Sequence, residues 1–145
     1  MRRALLTLAV LLSGPSLAEA GAGGVTPRTS YALHCSGCHT MTGTGEPAAG
    51  IPTFIGSVGT IARSDTGRTY MMHVPGVISA GLSDEGIAEV MNYVLEAWGN
   101  GAPLFTAAEV TERRAVPVPD VVDYRRGVVA ALARDGGKVA DYPWP

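Results

Sequence analysis

Apolar residues recur at helical spacing most plainly between Gly81 and Trp98, where Ile87, Val90, Met91, Val94, Leu95 and Trp98 fall on one stripe. Ser83 precedes that stripe as an N-cap, Asp84 and Glu85 set carboxylates against the positive helix end, and Gly99 stops it. A second stripe joins Val121, Val122, Val128, Val129 and Leu132; Asp120 caps it and Gly136–Gly137 closes it. A shorter helix opens at the capping box Thr106 to Glu109 and runs toward Arg114. Further upstream the pattern predicts a helix from Arg28 to Thr40, with Thr29 or Ser30 as N-cap, and a short one over Val58 to Ala62. Met41 to Gly50 has turn composition throughout and reads as a loop. The expected fold class is therefore all-α, short helices joined by irregular backbone.

The first apolar run differs in kind. Arg2 and Arg3 precede Ala4 to Leu12, and Ala18-Glu19-Ala20 offers an A-x-A cleavage site, so residues 1–20 read as a secretory signal peptide cleaved after about Ala20. The run is too short to span a bilayer, and no other approaches membrane length, so no membrane span is expected in the mature chain. Gly-rich residues 21–27 read as a flexible arm, 28–99 as the main domain and 100–145 as a C-terminal extension with two short helices. Two short amphipathic helices are not stable alone in water, so they either wrap the main domain or bind a partner.

The chain has 145 residues, which suits one domain plus extensions. Its 19 glycines and 10 prolines fit a loop-rich fold. Net charge is −2, and −3 once Arg2, Arg3 and Glu19 leave with the signal. So mild and interspersed a balance gives no support for nucleic-acid binding.

The chemistry is concentrated in "HCSGCHTM", residues 34–41, which holds both cysteines and two of the three histidines. Cys35-Ser-Gly-Cys38-His39 has the spacing of covalent haem attachment. Residues three apart share a helix face, so both thiols can reach the two vinyl groups of one porphyrin edge while the next residue, His39, turns its imidazole to the iron. A thioredoxin-like pair would need a preceding strand, a zinc site a fourth well-placed ligand, and a disulfide across three residues would constrain little. Export together with this motif points to haem c, one per chain.

On these residues, and on Leu82, Ser83, Asp84, Ile87, Ala88, Val90 and Tyr93 of the last long stripe, residues 28 to 98 resemble the monohaem class I cytochromes c of bacteria. The resemblance implies a cytochrome c fold wrapped around one haem, with the first helix carrying the haem and crossing the "LSD" helix beside it. It implies a proline that lends its carbonyl to the proximal histidine, for which Pro52 in "GIPTFIG" is the candidate, a bond that fixes the ring and raises its basicity. Arg68, and less so Arg63, are candidates for a haem propionate, since a guanidinium matches a carboxylate's two oxygens.

In one respect the chain departs from the family. A methionine usually completes the iron ahead of the "LSD", often as Met-Pro, and here that place reads Val74-Pro75. Just upstream stand Met71, Met72 and His73. In an extended segment Met72 would share a side with Val74, which makes it the best candidate for the distal ligand, with His73 as the alternative. Met71, or no side chain at all with Val74 filling the distal side, also remain open. Methionine ligation would raise the potential relative to a second imidazole.

The function this implies is electron transport: a periplasmic protein carrying single electrons, with a periplasmic dehydrogenase such as a quinoprotein as donor and a terminal oxidase or other cytochrome as acceptor. No catalytic acid–base set is visible, and an enzyme is not expected. The rival readings are a five-coordinate or bis-histidine haem protein acting as sensor or enzyme, and a haem subunit held permanently in a larger oxidoreductase.

Overall fold

The computed structural model describes residues 24–142; the signal-peptide reading of residues 1–20 lies outside the described residues. Eight α-helices follow in order among them: α1 Pro27–His34, α2 Ser36–His39, α3 Val58–Ala62, α4 Asp65–His73, α5 Pro75–Ile78, α6 Asp84–Trp98, α7 Ala107–Arg114 and α8 Val121–Arg134. No strand is present among the described residues, only an isolated bridge between Glu46 and Ile51. No described helix is long and apolar enough to cross a membrane.

The caps explain most boundaries. Ser83, Thr106 and Asp120 accept backbone N–H bonds at the starts of α6, α7 and α8, where the pattern places them. The first helix is a correction. Its N-cap is Thr26, whose hydroxyl accepts from the Thr29 amide, because Pro27 lacks an N–H and has its φ preset, which suits the first helical position. Pro27 thus belongs to α1 and not to the arm. The helix also breaks at Cys35, whose φ of −124° leaves the helical region before α2 resumes.

The second correction concerns Met71 to Val74. This segment is not extended: Ser64 caps α4 and Asp65 occupies its first turn, so the helix runs through His73. Val74 leaves it with ψ of 143°, because Pro75 clashes with an α-conformation in the residue before it.

One core unites the described chain. Tyr31 of α1, Ile61 of α3, Met71 and Met72 of α4 and the α6 stripe share it with Phe105, Val110, Val128 and Leu132 of the extension. Helix α6 packs on α1, α3 and α7, while α4 packs on α3, α5, α7 and α8. The extension therefore wraps the rest of the molecule. Asn92 fastens its start, donating to the Phe105 carbonyl at 2.9 Å and accepting from the Phe105 amide at 2.7 Å.

Gly43 fixes the loop after the motif against α6. Its φ is +72°, and a Cβ there would stand 2.6 Å from the Trp98 ring. Alanine would combine left-handed strain with a clash against a ring held on three sides by aromatics. Gly43→Ala is expected to cost about 2 kcal/mol or more, read as a lowered midpoint in denaturant unfolding. An unchanged midpoint would show that the Gly43–Trp98 approach is not tight.

Candidate functional site

The break at Cys35 turns the motif into a single compact turn. His39 and Cys38 both donate backbone bonds to the Cys35 carbonyl, at 2.9 and 3.2 Å, so the two cysteines and His39 are held on one loop of backbone. Both thiols are free; Cys35 is half-buried and Cys38 exposed. Burial, with Cys38 beside it, pushes the Cys35 thiol above its ordinary value. His34, on the preceding helix, is exposed.

His39 stacks on Phe54 with ring centroids 4.0 Å apart and planes 18° from parallel. Burial lowers its pKa, and the Pro52 backbone carbonyl, acting on the ring, raises it in part. The net direction favours the neutral imidazole, the form that binds metal. The Pro52 carbonyl is close enough to act on the ring, yet Nδ1 of His39 is buried without a hydrogen bond of full geometry. With Nδ1 buried, Nε2 is the nitrogen left for a ligand.

Behind the motif lies an aromatic wall that the sequence pattern did not mark as a site. Phe54 and Trp98 stand 5.6 Å apart, and Tyr31 lies 5.5 Å from Trp98 and 5.3 Å from Tyr93. Tyr31 is fully buried and donates to the Thr40 carbonyl at 2.6 Å; burial drives its pKa up to about 12, so it stays a neutral donor that ties α1 to the turn after His39. Phe54 had one signal in the sequence, its place two residues after Pro52. Contact with His39 comes from the loop's return, through Phe54 N to Gly43 O at 2.8 Å.

Arg68 is a correction. It is buried, donates to both Glu109 carboxylate oxygens at 2.6 Å and to the carbonyls of Ala62, Pro103 and Leu104, and lies 3.8 Å over the Phe105 ring. Its donors are all taken within the protein, one by the Ala62 carbonyl of α3 and the rest by the extension, which leaves none for a haem propionate. Arg63 donates to the Asn100 carbonyl.

The residues at the motif fit a haem: two unpaired thiols on one turn, a histidine whose burial favours the neutral form and whose Nδ1 is buried, and an apolar aromatic wall. The chain is 36% identical over 138 residues to a cytochrome c-552 of Thermus thermophilus, a match covering 79% of this chain and 88% of that protein. It belongs to the class I c-type cytochromes. A further cytochrome c-552 of Thermus thermophilus is 36% identical over 104 residues, covering 56% of this chain and 79% of that protein. No family model and no solved structure matches. The cytochrome therefore has the all-α cytochrome c fold, carries covalently bound haem c, and is an electron-transfer protein and not an enzyme.

The match also extends the resemblance. Residues 1–98 of the cytochrome are 98 of its 145, about two thirds, so a span covering 79% reaches past Trp98 into the extension. Helix α7 or its approach is part of what the chain shares with that first relative.

Proposed function

We propose that the protein is a periplasmic carrier that accepts single electrons from a dehydrogenase, such as a quinoprotein, and yields them to a terminal oxidase or another cytochrome. Cys35 and Cys38 hold the haem by thioether bonds, His39 is the proximal ligand through Nε2, and the Pro52 carbonyl orients its ring. The bound haem supplies an iron that alternates between two oxidation states. The observation that carries this reading is the turn itself, two free thiols and a neutral histidine gathered on one backbone loop. The apolar run Ala4 to Leu12 with its A-x-A site supports export.

The surface around that turn supports a transient apolar contact with the partner. Leu33, Met41 and Ile55 flank the motif and Phe54, and they are 69%, 41% and 52% exposed. From Thr29 to Ala62 the only charged residue is Glu46, apart from the two histidines. A partner matched to such a face presents an uncharged apolar patch, and its approach gains little from long-range steering.

The test mixes the reduced holoprotein with a candidate acceptor, or the oxidised one with a quinoprotein dehydrogenase and its substrate, in stopped flow. The second-order rate is expected to change by less than about threefold when salt is raised from about 10 mM to about 500 mM. A steep fall with salt would point to a charged docking face instead. Failure of any such dehydrogenase to reduce the protein, or recovery of the haem protein from the cytoplasmic fraction, would overturn the proposed role.

A further inference from the structure

After α8 the chain turns at Gly136, whose φ is +76°, and Gly137 donates to the Leu132 carbonyl at 2.8 Å. Gly137 lies against α3, where a Cβ on it would stand 3.3 Å from the Thr60 methyl. Three residues on, the Ala140 amide donates to the Ser57 hydroxyl at 2.6 Å, across 83 positions of sequence. The Tyr142 hydroxyl then reaches Gly50, where a Cβ would stand 4.0 Å from it. The returning segment 137–142 therefore runs along the stretch from Gly50 to Thr60 in the reverse direction. Arg125 of α8 anchors its end, with the guanidinium 4.6 Å over the Tyr142 ring and a bond to the Tyr70 hydroxyl of α4 at 3.0 Å.

The stretch so covered carries the groups that act on His39. The Phe54 ring stacks on the imidazole at 4.0 Å, and the Pro52 carbonyl acts on the same ring. Phe54 is held at both ends of its backbone. Its amide donates to the Gly43 carbonyl at 2.8 Å, on the motif side, and its carbonyl accepts from the Ser57 amide at 3.1 Å. Ser57 is only 2% exposed, and its hydroxyl is the point at which the tail is fastened to this frame. An amide deprived of its acceptor in such a place is costly, so the tail and the loop hold one another in register.

We infer that Ser57 is a positioning residue for His39: through it the C-terminal segment 137–142 holds the loop of Pro52 and Phe54 against the imidazole, and so tunes the reduction potential of the haem. The inference rests on the haem attachment proposed above. A carbonyl held at the ring makes the imidazole a better electron donor, which favours the oxidised iron and lowers the potential. Loosening the loop raises it. The end of the chain thus acts on the redox site from 83 positions away, through one hydroxyl.

The experiment compares mature holoproteins, with covalent haem first quantified as the pyridine haemochrome. Ser57→Ala removes the acceptor and keeps the backbone bonds of the loop; a chain ending at Gly137 removes the donor and leaves Ser57 in place. Each is expected to raise the ratio of reduced to oxidised protein at a fixed solution potential about threefold, equal to about 28 mV for one electron. Both are expected to move the proton resonances of His39 in the oxidised protein in the same sense, while Ser57→Thr, which keeps the hydroxyl, retains the parent values. Arg114→Ala, which breaks the ion pair with Asp84 and loosens the extension elsewhere, is expected to lower the unfolding midpoint and leave potential and resonances unchanged. Unchanged potential and resonances in Ser57→Ala and the shortened chain, with only the unfolding midpoint lowered, would overturn the inference and leave Ser57 a structural tie. An equal shift in Arg114→Ala would also overturn it, since any loosening of the extension would then suffice. Should Ser57→Ala fail to fold, the shortened chain, which alters no residue of the loop, decides alone. Absence of covalent haem from the parent would instead overturn the reading on which the inference stands.

Discussion

Cys35→Ala/Cys38→Ala emerges colourless, or loses its colour on denaturation, when produced in a host that matures c-type cytochromes, whereas the parent keeps its haem through a denaturing gel. The thioether bonds are the only attachment that survives unfolding, since coordination by His39 is lost once the imidazole is free to be solvated and protonated. Losing the haem also leaves the half-buried wall of Phe54, Tyr93 and Trp98 without its intended cover, so the double variant is expected to be markedly less stable than the holoprotein. Each single variant keeps one thioether and should stain at reduced intensity. Retention of full haem by the double variant would show that these thiols are not its anchors.

Arg68→Ala carries the largest expected cost outside the haem site, about 3–5 kcal/mol, measured as a shift in the midpoint of guanidinium unfolding of the holoprotein. The size follows from what is left behind. Glu109 would keep only Arg113, at 2.7 Å, as an ionic partner; the Pro103 and Leu104 carbonyls would lose their donor; and Phe105 would lose the guanidinium stacked on its ring. Arg68 sits on α4 and the groups it binds sit in and before α7, so the variant should also loosen the extension. A shift under about 1 kcal/mol would mean that the carbonyls and the carboxylate find water instead.

The same network has a signature in acid. The hydrogen bonds from Arg68, and after them those from Arg113, hold the Glu109 carboxyl down at about 2 from its ordinary 4.5, against the opposing effect of burial. A carboxyl depressed on folding stabilises the fold above its unfolded value, and that contribution is lost as pH falls from about 4.5 through about 2. The stability difference between the parent and Glu109→Gln is therefore expected to be constant at neutral pH and to shrink across that interval. A difference independent of pH down to 2 would show that folding leaves the pKa of this carboxyl unchanged.

Much of the architecture was legible in local residues. Ser83, Thr106 and Asp120 announce their helices because a cap acts on amides two or three residues away, and the motif from Cys35 to His39 states its own chemistry because the spacing between thiols is a property of one turn. Pro27 shows where a local signal was outweighed by a better one, since a proline at the first helical position moved the cap from Thr29 to Thr26. The reading of Met71 to Val74 failed for a different reason: four consecutive residues before a proline fit either an extended segment or the last turn of a helix, and the cap at Ser64, seven residues upstream of Met71, decided between them.

By itself the sequence determined the helical class, the helix starts with strong caps, and the turn from Cys35 to His39, because each depends on residues within a few positions of one another. The tertiary structure alone decided which way α4 faces, and so which of its side chains meet the extension. Arg68 meets Glu109 across 41 positions and Arg125 meets Tyr70 across 55, and no pattern within one helix shows which distant carboxylate or ring closes on it. The pairing is settled only when the apolar stripes of α6, α7 and α8 are buried together and fix what stands opposite each face of α4.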